Sequence, residues 1–244
     1  MVSSQELEWA IYIYYYIGGD NNKNGYIDTL IKLREKGVYK NSINIWEKNA
    51  KSICDIIIAF LNEWRTRTPK RASNGLKKAL SPDLLKNLKR LQKLKLEDIN
   101  EEIDNNIIEI FNKIDNVKHI GLTGTAKILG LFCPDLFVQW DKEIINDHLL
   151  KNSLKKNKFG GDMYLSFLKD MQKEAKKILS QNINISKHLS DNLKKLYEQQ
   201  YGYQSPQAEF MKNWGKSLAK YLDEYNWVTI TRGIKLPPEW HPGI

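Results

Sequence analysis

The chain has 244 residues, with 38 lysines and arginines against 29 aspartates and glutamates, for a formal charge of +9. Hydrophobic residues make up 41% and charged residues 27%, which excludes a disordered or collagenous chain and leaves enough apolar side chain for a real core. Two cysteines, Cys54 and Cys133, exclude a disulfide framework and a Cys-x-x-Cys zinc site, and the longest apolar run, Ala10 to Ile17, is too short to span a bilayer. The first residues, Met1 to Glu6, lack the basic start and small-residue cleavage site of a secretory signal, so a cytoplasmic protein with no membrane partner is expected. The positive balance favours a polyanion as partner, through release of condensed counterions.

In chain order, Ala10 to Ile17 fits two patterns. Its β-branched and aromatic residues suit a strand, whereas Leu7, Ile11, Tyr14 and Tyr15 also fit a helix. Gly18 to Asp28 resembles the first half of an EF-hand loop but has Ile31 where the bidentate acid would stand, so it reads as a polar loop. From Ile43 to Trp64, apolar residues recur at three-to-four spacing and predict an amphipathic helix. It runs into an arginine-rich stretch with Arg65, Arg67, Lys70 and Arg71. These side chains either cover apolar surface or grip phosphates.

Ser81-Pro82 is an N-cap followed by proline at the first helical position, and a helix continues through Leu94 with a basic, solvated face. Further helices are predicted over Glu97 to Ile114, Asp162 to Leu179, Ser186 to Tyr197 and Ser205 to Tyr221. Trp227-Val228-Thr229-Ile230-Thr231 predicts a short strand near the C-terminus. The last ten residues, with Trp240 and His241, are apolar enough to fold back onto the body. The four histidines have no metal-like spacing, so no metal and no cofactor are expected.

The most informative stretch is Val117 to Phe132, in which a helix ends, a turn containing Gly121 and Gly124 follows, and an apolar helix begins. Such a turn is either an ordinary helix–helix connection or a set of exposed helix-terminal amides that binds phosphate. A proline-bearing loop then leads to Trp140-Asp141 at the start of another helix. Asp141 is suited to N-capping that helix, and a carboxylate so placed stays ionised.

This ordered combination resembles the helix-hairpin-helix DNA glycosylase superfamily, over about 30 of the 244 residues. The resemblance implies an all-α fold carrying a helix-hairpin-helix motif. It implies one unit over 1–244 with two lobes, about 1–80 with 150–244, and 81–150 bearing the hairpin. Gly121, Leu122, Thr123, Gly124 and Thr125 would meet the DNA backbone, with Arg65 and Arg67 adding phosphate contacts. Asp141 would be the catalytic carboxylate, and Trp64 and Trp140 would belong to the base pocket. Thr125 stands where strand-cleaving members carry a lysine; Lys118 and Lys127 are the two displaced candidates, and a displaced lysine is a feature of the archaeal 8-oxoguanine glycosylase branch. The implied activity is hydrolysis of the N-glycosidic bond of a damaged or modified base flipped from double-stranded DNA, by a monomer. The alternative is a DNA-binding protein of the same fold without catalysis, consistent with Thr123 replacing the second turn glycine.

Overall fold

A computed structural model describes residues 2–17, 25–40, 43–64, 66–152 and 160–236. The EF-hand-like loop, Arg65 and the apolar C-terminal residues with Trp240 and His241 lie wholly or mostly outside them. Among the described residues the chain forms twelve α-helices and no strand. They are α1 (Ser4–Tyr16), α2 (Tyr26–Glu35), α3 (Ile43–Glu63), α4 (Ala72–Ala79), α5 (Pro82–Leu91), α6 (Glu101–Asp115), α7 (Gly121–Phe132), α8 (Lys142–Lys151), α9 (Gly161–Gln181), α10 (Ile185–Tyr201), α11 (Pro206–Asn213) and α12 (Leu218–Asn226). The all-α class read from the sequence is therefore the observed one. No described helix is long and apolar enough to cross a membrane.

The ambiguous N-terminal run is helical. Ser3 caps it, accepting from the Glu6 amide while Glu6 accepts from the Ser3 amide, and the buried side chains Leu7, Ile11, Tyr14 and Tyr15 follow the helical period. The expected C-terminal strand is corrected: Trp227–Thr231 is a π-helical turn that prolongs α12. Its β-branched residues have no neighbouring strand to pair with, and packing on α1 and α8 overrides their propensity. The single helix expected over 205–221 is broken by Gly215 at φ +68°, giving α11 and α12. Likewise Asn100 caps α6 afresh after a 3-10 turn at Leu96–Asp98.

One main core runs from Val2 to Leu222, and a small satellite core of Ala10, Tyr14 and Val228 lies beside it, with Trp64 and Trp227 packed on the satellite. Beneath the site, the non-helical segment 134–141 is threaded through the main core. Leu136, Phe137, Val138 and Trp140 are all buried. A buried loop must satisfy its carbonyls, and side chains do so here. The Tyr164 hydroxyl donates to the Val138 carbonyl at 2.7 Å and the Ser217 hydroxyl to Pro134, while the Gln92 amide donates to Phe132 at the end of α7. The Trp140 ring sits among Phe111, Tyr164 and Phe167, with centroids 6.1, 4.8 and 5.2 Å away. The aspartate that follows thus stands on one of the firmest supports in the molecule.

The crossing of α6 and α9 is equally close. A Cβ on Gly161 would stand 2.6 Å from the Ile108 carbonyl oxygen and 2.7 Å from its Cα, and Asn112 Oδ1 accepts the Gly161 amide at 2.8 Å. Backbone cannot yield as a flexible side-chain tip can. Gly161→Ala is therefore expected to cost about 2–3 kcal/mol, as overpacking does; an unchanged urea midpoint would contradict this close approach.

Candidate functional site

The hairpin is built from the C-terminal end of α6, residues 116–120 and the N-terminus of α7. The Ile120 amide donates to the Val117 carbonyl, His119 has φ +76° and Gly121 φ +65°. Gly121 is exposed, and a Cβ there would meet nothing within 4 Å, so open space lies over the first turn of α7. Ile120 gives no side-chain cap, which leaves the first amides of α7 available to an acceptor.

Two of the five hairpin residues expected at DNA are corrected. Gly124 and Thr125 are buried within α7: a Cβ on Gly124 would meet Ile120 Cγ2 at 2.9 Å, and Thr125 is fully enclosed. These two residues seat α7 on its neighbours, while Gly121, Leu122 and Thr123 reach the surface. Trp140 ties the hairpin to the segment below, its indole N–H donating to the Leu122 carbonyl at 3.2 Å.

Arg67 is exposed at φ +54° in the α3–α4 connection. That connection is braced by the Thr66 hydroxyl donating to Leu61 and the Asn62 amide donating to Thr68. It borders the hairpin, since Arg71 Nη2 lies 3.3 Å from His119 Nε2. Exposed Lys70, Arg71 and Lys118 extend the same basic edge.

Behind this edge is a small cavity of about 10 Å3, lined by Tyr14, Trp64, Lys127, Trp140, Asp141, Asp223 and Trp227. A larger open groove, lined among others by Lys95, Asp135, Lys176 and Lys187, shares no residue with it. The structure therefore brings together Lys127, Asp141, Trp64 and Trp140, four residues singled out from the sequence, and leaves Lys118 outside on the surface. Trp140 forms the floor and is fully buried, whereas Trp64 is a partly exposed wall whose indole nitrogen has no hydrogen-bond partner among the described residues.

Asp141 caps α8, with Oδ1 accepting the Ile144 amide at 3.0 Å, while Oδ2 accepts the Thr231 hydroxyl at 2.7 Å. These two bonds fix the carboxylate in place. Lys127 projects from α7 at 7% exposure with its Nζ 4.5 Å from the Trp64 ring centroid. Among the described residues it makes no hydrogen bond or ion pair. Burial pushes its ammonium down to about 8, opposed by Asp223 and Asp141 and assisted by Lys220. A fraction of the amine is thus neutral near physiological pH, which a nitrogen nucleophile requires.

Several site residues escaped the sequence reading: Tyr14, Asp223, Trp227 and Thr231. The last three follow i, i+4, i+8 spacing, a single helix face, and taking 218–231 as one continuous helix would have aligned them. Comparison with protein-family models, curated proteins and solved structures gave no match to this chain.

The Lys127 environment has a stability consequence. Its folded value of about 8 lies below its ordinary 10.5, so between those limits the unfolded chain holds more protons and stability rises with pH. Below that window the charged form is buried at full cost. Lys127→Met is expected to raise stability at pH 7 by about 1–3 kcal/mol, the advantage fading toward pH 10.5. Urea unfolding at pH 7 and pH 9.5 checks this; a lower midpoint for the variant at pH 7 would contradict it.

Proposed function

We propose that this protein is a DNA glycosylase of the helix-hairpin-helix type that also forms a covalent intermediate through Lys127. The observation that carries the reading is the shared cavity: a fixed carboxylate and a buried, weakly basic amine between aromatic walls, directly behind an open hairpin with a basic edge. In this reading Gly121, Leu122 and Thr123 hold the DNA backbone and Arg67 steadies the phosphates beside it. Lys118 serves as a phosphate contact rather than a nucleophile. The enzyme works as a cytoplasmic monomer, since hairpin and cavity come from one chain.

A damaged or modified base leaves the stack and enters between Trp64 and Trp227. The cavity has room for about one water only, so Trp64 or Trp227 must swing outward to open the space a base needs. As the N-glycosidic bond lengthens, positive charge develops on the sugar, and the Asp141 carboxylate stabilises it. The neutral Lys127 amine attacks C1′. The C1′–N bond to the base breaks, its electron pair departs with the base, and a proton is supplied to the leaving nitrogen. Of the two amine protons, one is the proton taken by the leaving nitrogen and the other passes to O4′ as the sugar ring opens, leaving an imine between Lys127 and C1′.

The test is release of free base from duplexes bearing uracil, 8-oxoguanine, alkylated bases or bulky modified cytosines. The wild type is expected to release at least one. Asp141→Asn is expected to release it at least about 100-fold more slowly while duplex affinity is kept. Duplex binding with no release from any of these substrates would favour the non-catalytic binding protein. No binding even at low salt would remove DNA altogether.

A further inference from the structure

Two ammonium groups share the indole of Trp64: Lys127 Nζ at 4.5 Å and Lys220 Nζ at 5.8 Å from the ring centroid. Lys220 is buried on α12 and also faces the rings of Tyr14 and Tyr26, at 5.4 and 4.6 Å. It sits in a chain of buried charges. Its Nζ is 2.5 Å from Asp223 Oδ2 and 3.6 Å from Glu224 Oε1, and Glu224 in turn pairs with Lys216 at 2.7 Å. Of these carboxylates, Asp223 also lines the cavity with Lys127.

We propose that Lys220 is a positioning residue that acts through Lys127, with the Lys220–Asp223 pair setting how readily the cavity amine gives up its proton. The inference rests on Lys127 being the reactive amine of the proposed function. Like charges that share a low-dielectric wall raise the cost of charging either one. Lys220 lies 2.5 and 3.6 Å from two carboxylates, whereas Lys127 has no ion pair among the described residues, so the cost falls on Lys127. The groups facing Lys127 from other elements are Asp141 at the start of α8 and Asp223 on α12, both of which favour its charge. Behind Asp223 stand Glu224 and Lys216, which pair with each other. Tyr14 and Tyr26 face Lys220, and burial holds the Tyr26 phenol well above its ordinary value, so it stays neutral.

The two partners of this pair pull Lys127 in opposite directions, which a merely structural role does not. Lys220→Met removes a positive neighbour and is expected to move the Lys127 titration up by about one pH unit. Asp223→Asn removes a negative neighbour and is expected to move it down by a similar amount. The readout is the 13Cε resonance of Lys127 in lysine-labelled protein without DNA, assigned by its loss in Lys127→Met. Borohydride trapping on an abasic duplex, followed across pH, is expected to show its onset moving with the resonance.

Shifts in the same direction, or no shift in either variant, overturn the proposal. If Lys220→Met does not fold, Asp223→Asn decides alone: a downward shift supports the coupling, and an unmoved or raised titration overturns it. Opposite resonance shifts without any trapped adduct would support the coupling and count against the proposed function, so the two readings fail separately.

Discussion

The physical constraint behind the site is the burial of one amine on an indole face without an ion-pair partner among the described residues. Lys127 has lost most of its water, and its Nζ lies over the ring of Trp64. A cation–π contact recovers only part of the lost hydration. A side chain so placed lowers stability in its charged form and is retained where the neutral form has work to do. The surrounding charges are arranged to match. Asp141 is held by two hydrogen bonds, and Asp223 is engaged by Lys220, so neither closes onto the amine as a direct salt bridge.

That arrangement depends on long-range packing. The floor under Asp141 joins α6, α9 and the segment 134–141 through Phe111, Tyr164, Phe167 and Trp140. The wall joins α1, the end of α3 and the π-helical turn through Tyr14, Trp64 and Trp227, with Tyr14 and Trp227 meeting edge to face at 5.3 Å. The π-helical turn has a second task, since its last residue, Thr231, reaches the carboxylate of Asp141. A wider turn of this kind is common where a helix must re-aim side chains at a site. The hairpin lies one layer outward, and the Trp140 indole bonded to the Leu122 carbonyl links it to the floor.

How much of this was legible in the sequence depends on the range of the interactions. Local signals read well: Ser81 and Pro82 open α5, Asp141 caps α8, and the apolar period of 43–64 marks α3 within a residue. The helix starts at Gly121 and Asp141 were both visible in one short stretch. The contrast between Lys118 and Lys127 was not. Lys127 stands two residues beyond Thr125, on the buried face of α7, whereas Lys118 is exposed. Gly124 and Thr125 were expected to meet the DNA backbone but lie buried in α7, since the turn ends at Ile120 and the helix has already begun. Asp223, Trp227 and Thr231 were hidden because β-branched residues in 227–231 mimic a strand, and only contacts with α1 and α8 decide otherwise.

The most direct measurement looks for the proposed covalent bond. The protein is mixed with a duplex carrying an abasic site, reduced with borohydride and digested, and the modified peptide is sequenced by mass spectrometry. The account predicts one adduct, on the ε-amine of Lys127. An adduct on Lys118 or the terminal amine, or no adduct from a preparation that binds the duplex, would contradict it.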